Sequence, residues 1–537
     1  MVENPNENIK RIVEKAVKSA SIVGNIHSSF GYYPIEKIYV TRRGDARIEK
    51  YEYLFVLDDD GYPIVYQVTS PSWYRRFYDF QDALIAAGQP IKDEHGQRYK
   101  CVAALLGKLA PNGDIVYPKA PPKPMSDVYK CTPELVKLFI EPLDDWKVKL
   151  GINPETGLEV YVALKSLVRQ SLLISGAQGT GKTTALLTLI KRCLFTNPPL
   201  KFVILDWTGE FRALMQLNDV LGYRVRRIAW HKIYHILLKE NPASLLEYLM
   251  KHPLCDTRTK HYKLVEMTLL KLKDRGEYPS LEKIERLLQP VYSEMFGGQG
   301  SRRRDDDREI IIRKAAVMIR ETPEVPRKAP QALMSLRDLI GTVKNCMVTI
   351  IDFSSDIPSV PSDPMAKKRV AAFVAEALWE EALSRRLTCV IVSDEAHRIC
   401  PESWYGNIDD IWIRLATEGG RNGIPLWIVA RRLSLVRKSV TVETQQNFIG
   451  FNAEDVDRRR IIEDLGEKFG ELMGALPQGE AVVKSQGFRI PGQVIHVKFD
   501  PELKPYSGPS LKERFRNEFY PPNVSAIYSL WKPLFFG

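Results

Sequence analysis

Seven cysteines are scattered over 537 residues, at 101, 131, 193, 255, 346, 389 and 400, and no Cys-x-x-Cys pair occurs among them. The odd count and the scatter argue against a disulfide framework and against a thiolate zinc site; they fit reduced, mostly buried thiols in a cytoplasmic chain. No run of about 18 apolar residues is present, so no transmembrane helix is expected. The N-terminal "MVENPNENIKRIVEKAVKSASIVG" has no signal-peptide core and is interrupted by Glu14 and Lys18. No internal repeat is found.

What remains is ordinary for a folded chain: 44% apolar and 27% charged residues. At roughly 100–200 residues per domain the length implies two to four domains. The net charge is +11, from 77 basic against 66 acidic residues, and that excess favours a polyanionic partner.

Residues 30–115 read as short strands and turns. "YLFVLDDDGYPIVYQVTS" is a hairpin, with Asp58-Asp59-Asp60-Gly61 as its turn. The aspartates lack the alternating spacing and distal Glu of a calcium loop. A small barrel is the natural closure for such strands. "YPKAPPKPMSD", 117–127, is a Pro-rich connector. After it come five short, nearly continuous apolar runs: 170–175, 201–207, 347–352, 388–394 and 426–430. These predict strands buried on both faces of a parallel sheet, with helices between some of them. The stretch 232–340 is mostly helical in pattern and reads as an insertion. Within it "SRRRDDDRE", 301–309, is a solvated loop or a helix start, with direct DNA contact as the alternative.

"GAQGTGKT" satisfies G-x-x-x-x-G-K-[ST] between a predicted strand and a predicted helix, the context the motif requires. Gly176, Ala177, Gln178, Gly179, Thr180 and Gly181 would wrap backbone N–H groups around phosphate oxygens, and the helix N-terminus beginning near Thr184 adds its partial positive charge. Lys182 would reach the β- and γ-phosphates of ATP, and Thr183 would hold Mg²⁺. "CVIVSDEAH" places Asp394 to complete the magnesium shell and Glu395 to orient or deprotonate the attacking water. The competing explanation for the acidic pair is a helix cap after a strand. The same letters are similar to the DEAH step of superfamily 2 helicases. Here, though, Lys182 and Asp394 lie 212 residues apart with a helical stretch between them, and no Ser-Ala-Thr type motif follows.

"VILDWTGEF", 203–211, is a buried run ending in Asp206, followed by Trp-Thr-Gly, Glu210 and an aromatic. It resembles the strand-end D-x-x-G-E-[YF] element of the HerA branch of the HerA/FtsK superfamily. "YKCVAALLGKL…YPKAPPKP" (99–124), the run 149–183 into the P-loop, "DEAHRICP" (394–401), "ATEGGRNG" (416–423) and "LPQGEAVVKSQGFRIPG" (476–492) follow in that family's order. The resemblance spans roughly residues 20–500.

It implies an α/β fold: a RecA-like P-loop ATPase core with a helical insertion and a small N-terminal β-barrel of the HAS-barrel kind. The expected division is a barrel at 1–116, a linker at 117–148, an ATPase core at 149–231 and 341–505, an insertion at 232–340 and a tail at 506–537. It also implies a homohexameric ATP hydrolase that translocates double-stranded DNA at DNA ends beside a NurA-like nuclease. Alternatively, the same motor drives DNA transfer at a membrane, docked on a membrane DNA-transfer channel protein. A third possibility is a nucleotide-binding ring scaffold that hydrolyses weakly. Arg421 matches the arginine that such ATPases supply to a neighbour's site, where a guanidinium neutralises charge developing on the γ-phosphate. A surface arginine, and for Glu210 a turn acid, are the plainer alternatives. Asp206 is expected on the site floor rather than as a direct ligand. Trp531, Phe535 and Phe536 in the basic tail either brace a neighbouring subunit or pack on their own.

The family usually ends the strand matching 426–430 in Gln-Arg-Pro-Ser, whereas this chain has Arg431-Arg432-Leu433-Ser434. Glutamine can both donate and accept, while arginine only donates and keeps its charge. Arg431 therefore either binds the γ-phosphate as a cation or turns away from it. Arg437 and Lys438, past the strand, face DNA or solvent.

Overall fold

The computed structural model describes residues 5–26, 35–43, 46–75, 97–250, 252–296, 302–330, 333–354, 364–402, 410–465, 473 and 476–506. The tail aromatics Trp531, Phe535 and Phe536 lie outside them.

The N-terminal strands are β1 (Ile22–Ile26), β2 (Lys37–Arg42), β3 (Tyr53–Leu57), β4 (Pro63–Arg75), β5 (Gln97–Leu109), β6 (Ile115–Val116) and β7 (Asp127–Lys130). They run in the order β2-β1-β7-β3-β4-β5-β6, and β2 also pairs with β5. Six strands thus close a ring, and β6 extends β5 as a short hairpin. Closure removes the open edges a sheet would otherwise expose. Period-two alternation serves two cores at once in β3. Leu54 and Val56 point into the barrel, while Phe55 packs outside it with Leu135 and Phe139 of the helix Pro133–Ile140. The predicted hairpin turn is present, with Gly61 at φ 80°. Its aspartates hold an ammonium ion: Lys108 Nζ lies 2.6 Å from Asp58 Oδ2 and also contacts Asp60. The barrel does not end at 116, as expected from the sequence. After the Pro-rich connector the chain returns as β7, between β1 and β3. Four residues following a proline cluster gave too short a pattern to reveal it.

The second sheet has eleven strands: β8 (Lys147–Ile152), β9 (Glu159–Ala163), β10 (Leu172–Ser175), β11 (Phe202–Asp206), β12 (Val225–Ala229), β13 (Val348–Asp352), β14 (Val390–Ser393), β15 (Leu426–Ala430), β16 (Asn447–Gly450), β17 (Glu480–Ser485) and β18 (Gln493–Lys498). Their order is β12-β13-β11-β14-β15-β10-β16-β17-β18-β8-β9. The first seven in that order run parallel and the rest pair antiparallel. All five predicted strands lie in the parallel part. Every residue of β10, β11, β13, β14 and β15 is buried, as continuous apolar runs require when helices cover both faces. The fold is α/β, with a P-loop between a central strand and its helix.

The stretch between β12 and β13 is helical: Trp230–Glu240, Lys260–Asp274, Leu281–Phe296 and Arg302–Glu321 are its main helices. Arg302, within "SRRRDDDRE", begins the last of these. Among the described residues the insertion shares its core with the sheet. Leu264, Leu288 and Met318 join the same buried cluster as Leu205, Ile351 and Ile428 of the sheet. His235 is held here, its Nδ1 2.7 Å from the hydroxyl of the buried Tyr278. Burial, with nearby His231 adding to it, pulls its pKa down from 6.5 to about 4. A histidine whose folded pKa is depressed stabilises the fold above its unfolded pKa, and that stability is lost as pH falls. Replacing His235 with Gln is therefore expected to flatten the fall in melting temperature between about pH 6.5 and about pH 4. Scanning calorimetry of both proteins across that range checks it.

Among the described residues, no helix is long and apolar enough to cross a membrane.

Candidate nucleotide site

Parallel strands bring all their C-terminal ends to one edge, and ligands of such sheets bind there. The register decides which side chains meet. Asp206 is paired across from Asp352, and Leu205 from Ser393, which puts Asp394 level with Asp206. Ser393 is level with Ile428, which brings Glu395 level with the end of β15. Ala430 is level with Ser175, so Arg431 leaves the sheet beside Gly176. Read along the edge, the groups are Asp352, Asp206, Asp394-Glu395, Arg431 and the P-loop.

The P-loop runs from β10 into the helix Lys182–Leu194. Gly176, Gly179 and Gly181 have φ of 153°, 78° and 110°. At Gly176 a Cβ would stand 2.6 Å from Phe451 Cβ, so the loop's first turn has room only for glycine. Lys182 is 7% exposed, and its Nζ donates to Ala177 O at 2.5 Å. Burial and the positive charge of Arg431 bring its pKa down to about 8, while Glu395 and Glu210 pull it back up. All four groups therefore share one electrostatic neighbourhood. The loop is braced from behind: Ala177 N–H donates to Asn452 O at 2.8 Å, Gly479 N–H to Thr180 O at 3.0 Å, and Gln478 Nε2 to Gly179 O at 2.9 Å.

Asp394 is buried and doubly anchored. Its Oδ1 accepts from Trp207 N–H at 3.1 Å and its Oδ2 from Thr208 Oγ1 at 2.7 Å. Asp206 Oδ1 accepts from Gly209 N–H at 2.7 Å. Its buried Oδ2 makes no hydrogen bond among the described residues. Burial raises both carboxyls, and for Asp394 the charge of Asp206 raises it further. Two buried carboxylates side by side, one with an orphaned oxygen, are a site that a divalent cation would relieve. Glu395, 5% exposed, has Oε1 2.8 Å from Arg431 Nε and Oε2 3.2 Å from His397 Nδ1. Arg431 thus turns to the carboxylate of Glu395. Glu210 opens a 3-10 turn after Gly209, half-buried at the same edge, and its carbonyl accepts from Tyr506 N–H at 3.0 Å.

Arg421 is not at this edge. It sits in the turn before β15, at the opposite end of the strands, and it is exposed. The turn is pressed onto the chain leading into β10: a Cβ at Gly420 would stand 1.9 Å from Arg169 O. The four residue steps of β15 alone put about 13 Å between the two ends of the strand.

Two groups of neighbours escaped the sequence reasoning. Asp352 is fully buried and shared by Arg212, at 3.2 Å, and Arg227. Its signal was an apolar run ending in Asp, the same as at Asp206. Asn452, Gln478 and Gly479 brace the P-loop from about 300 residues away, and only the Pro-Gln-Gly turn pattern hinted at them.

Residues 148–378 match the family model described as helicase HerA, central domain. A curated relative, the DNA double-strand break repair helicase HerA of Sulfurisphaera tokodaii, is 23% identical over 441 residues, which cover 78% of this chain and 81% of that protein. A probable helicase of Methanocaldococcus jannaschii is 20% identical over 433 residues, covering 74% of this chain and 77% of that one. Among solved structures, VirB4 of Thermoanaerobacter pseudethanolicus superposes with a TM-score of 0.46 at 14% identity, covering 70% of this chain and 100% of that chain. With its P-loop edge assembled, the chain resembles the HerA-like ATPases, and residues 148–378 are the part that matches their central domain.

Proposed function

We propose that the chain is an ATP-driven translocase of double-stranded DNA that works as a closed homohexameric ring, with ATP hydrolysed at each boundary between subunits. The observation that carries this is the separation of Arg421 from the P-loop edge of its own sheet. A catalytic arginine at the far end of β15 can serve only a second copy's nucleotide, and head-to-tail contacts that close make rings.

Within one site, the P-loop N–H groups and Lys182 bind the phosphates, and the loop's bracing by Asn452, Gln478 and Gly479 keeps them aimed. Thr183 and Asp394 would hold Mg²⁺, which when bound neutralises charge on the phosphate oxygens. Glu395 accepts the proton of the attacking water. Glu210 lies close enough for its charge to be felt at Lys182, where it helps set the charge balance of the pocket. The +11 net charge supports a polyanion as the track, held by phosphate contacts without sequence choice. The 23% identical relative is named as a double-strand break repair helicase, which favours work at DNA ends, beside a nuclease, over transfer through a membrane channel.

The test is ATP turnover with and without linear duplex, together with displacement of a protein roadblock from that duplex. Duplex is expected to stimulate turnover severalfold, and the roadblock to be displaced only with ATP. Turnover indifferent to duplex, with the roadblock left in place, would overturn the proposal.

A further inference from the structure

The Arg431–Glu395 pair joins a fixed cation to the residue placed to take a proton from water. Its geometry is set by the sheet. β14 and β15 are neighbours, and their parallel register brings Glu395 level with the end of β15. Because Ala430 pairs with Ser175, Arg431 also stands beside the first glycine of the P-loop. The guanidinium, 45% exposed, sits at the mouth of the edge, whereas the Glu395 side chain is 7% exposed. Lys182 feels the charge of both. A single guanidinium therefore lies between a buried carboxylate and the place where the P-loop presents a γ-phosphate. Nε is engaged by Glu395 at 2.8 Å. His397 Nδ1 also faces that carboxylate, 3.2 Å from Oε2.

We propose that Arg431 is a positioning residue that acts as a γ-phosphate-operated latch on Glu395. The proposal rests on the ATP site described above and extends it. A γ-phosphate offers a guanidinium up to two negative charges and three oxygens in a geometry that suits two parallel hydrogen bonds, so it outcompetes a single carboxylate contact. Capture of Arg431 by the γ-phosphate frees Glu395 Oε1. In the hydrolytic step, the water oxygen bonds to the γ-phosphorus and the bond to the β–γ bridging oxygen breaks. Its electron pair leaves with ADP, and the water proton passes to Glu395. ADP lacks the group that opens the latch, so Arg431 closes again on Glu395 after phosphate leaves. A glutamine at position 431 could contact the same phosphate but has no charge with which to hold a carboxylate, so the latch is a property of the arginine in this chain.

The test is a double-mutant cycle on nucleotide binding, read by calorimetry with AMP-PNP and with ADP, both with Mg²⁺. The full-length proteins are wild type, Arg431→Gln, Glu395→Gln and the double variant. Arg431→Gln is expected to weaken AMP-PNP by about tenfold or more and ADP by less than about twofold. Glu395→Gln removes the competitor and is expected to tighten AMP-PNP, but by at least about fivefold less when Arg431 is also replaced. Arg431→Lys keeps the charge and should retain part of the preference for triphosphate, which separates charge from a folding defect. Equal losses for AMP-PNP and ADP, or the same Glu395→Gln gain in both backgrounds, overturns the latch while leaving the ATP site intact. Failure of the wild-type chain to bind either nucleotide sinks both.

Discussion

Arg421→Ala is expected to lower ATP turnover by about 10³–10⁵-fold, the range over which an arginine supplied to a phosphoryl-transfer site acts. Its affinity for AMP-PNP should stay within about threefold, because the residue lies at the far end of β15 from its own P-loop. The stronger form of the prediction is a mixture. Arg421→Ala subunits keep Glu395, and Glu395→Gln subunits keep Arg421. Either protein alone is inactive. When mixed in equal amounts and allowed to exchange, about a quarter of the boundaries join an intact Glu395 to an intact Arg421. Turnover should therefore reappear on mixing. If the mixture stays as inactive as its parts while mass measurement shows exchanged rings, Arg421 does not act in trans. If Arg421→Ala keeps wild-type turnover, it is a surface arginine, the plainer explanation considered from its sequence.

Glu395→Gln is expected to cost about 10²–10⁴-fold in turnover, the usual contribution of a general base. It should trap bound ATP, because phosphate binding by Lys182 and the P-loop does not use the carboxylate. Lys182→Ala should instead lose binding and turnover together, since its ammonium is buried at the loop and aimed across it. Rapid-quench measurement of ATP hydrolysis, set beside equilibrium binding, separates the two. A Glu395→Gln protein that turns over at the wild-type rate would demote the Asp394-Glu395 pair to the strand-end cap that the sequence also allowed.

Much of the nucleotide edge could be read in one dimension because its causes are local. A strand covered on both faces must be apolar throughout, so β10, β11, β13, β14 and β15 were visible as runs. A phosphate loop needs glycines at fixed places and must sit between strand and helix. β12 was hidden because its sequence, Val-Arg-Arg-Ile-Ala, keeps Arg226 and Arg227 exposed at the sheet edge. β8, β9, β17 and β18 mix charged or polar residues with their apolar ones, and β16 is only four residues long, so none of them stands out as a continuous apolar run. The pairing of Arg431 with Glu395 has no sequence pattern at all. It arises from the register of β14 against β15, which two side chains 36 residues apart do not announce. The position of Arg421 was equally silent. "EGGRNG" showed a turn, but which end of the sheet that turn occupies follows only once β15 is known to run parallel to β10.

The return of β7 into the barrel has a mechanical consequence. The chain enters the barrel through β1, leaves it along the connector, and comes back to be hydrogen-bonded on both sides, by β1 and β3. Directly after β7, the helix Pro133–Ile140 leads to β8 of the large sheet. The covalent path from the barrel to the large sheet thus runs through a strand anchored by two ladders, and the Pro-rich connector, which joins β6 to β7, is no part of that path.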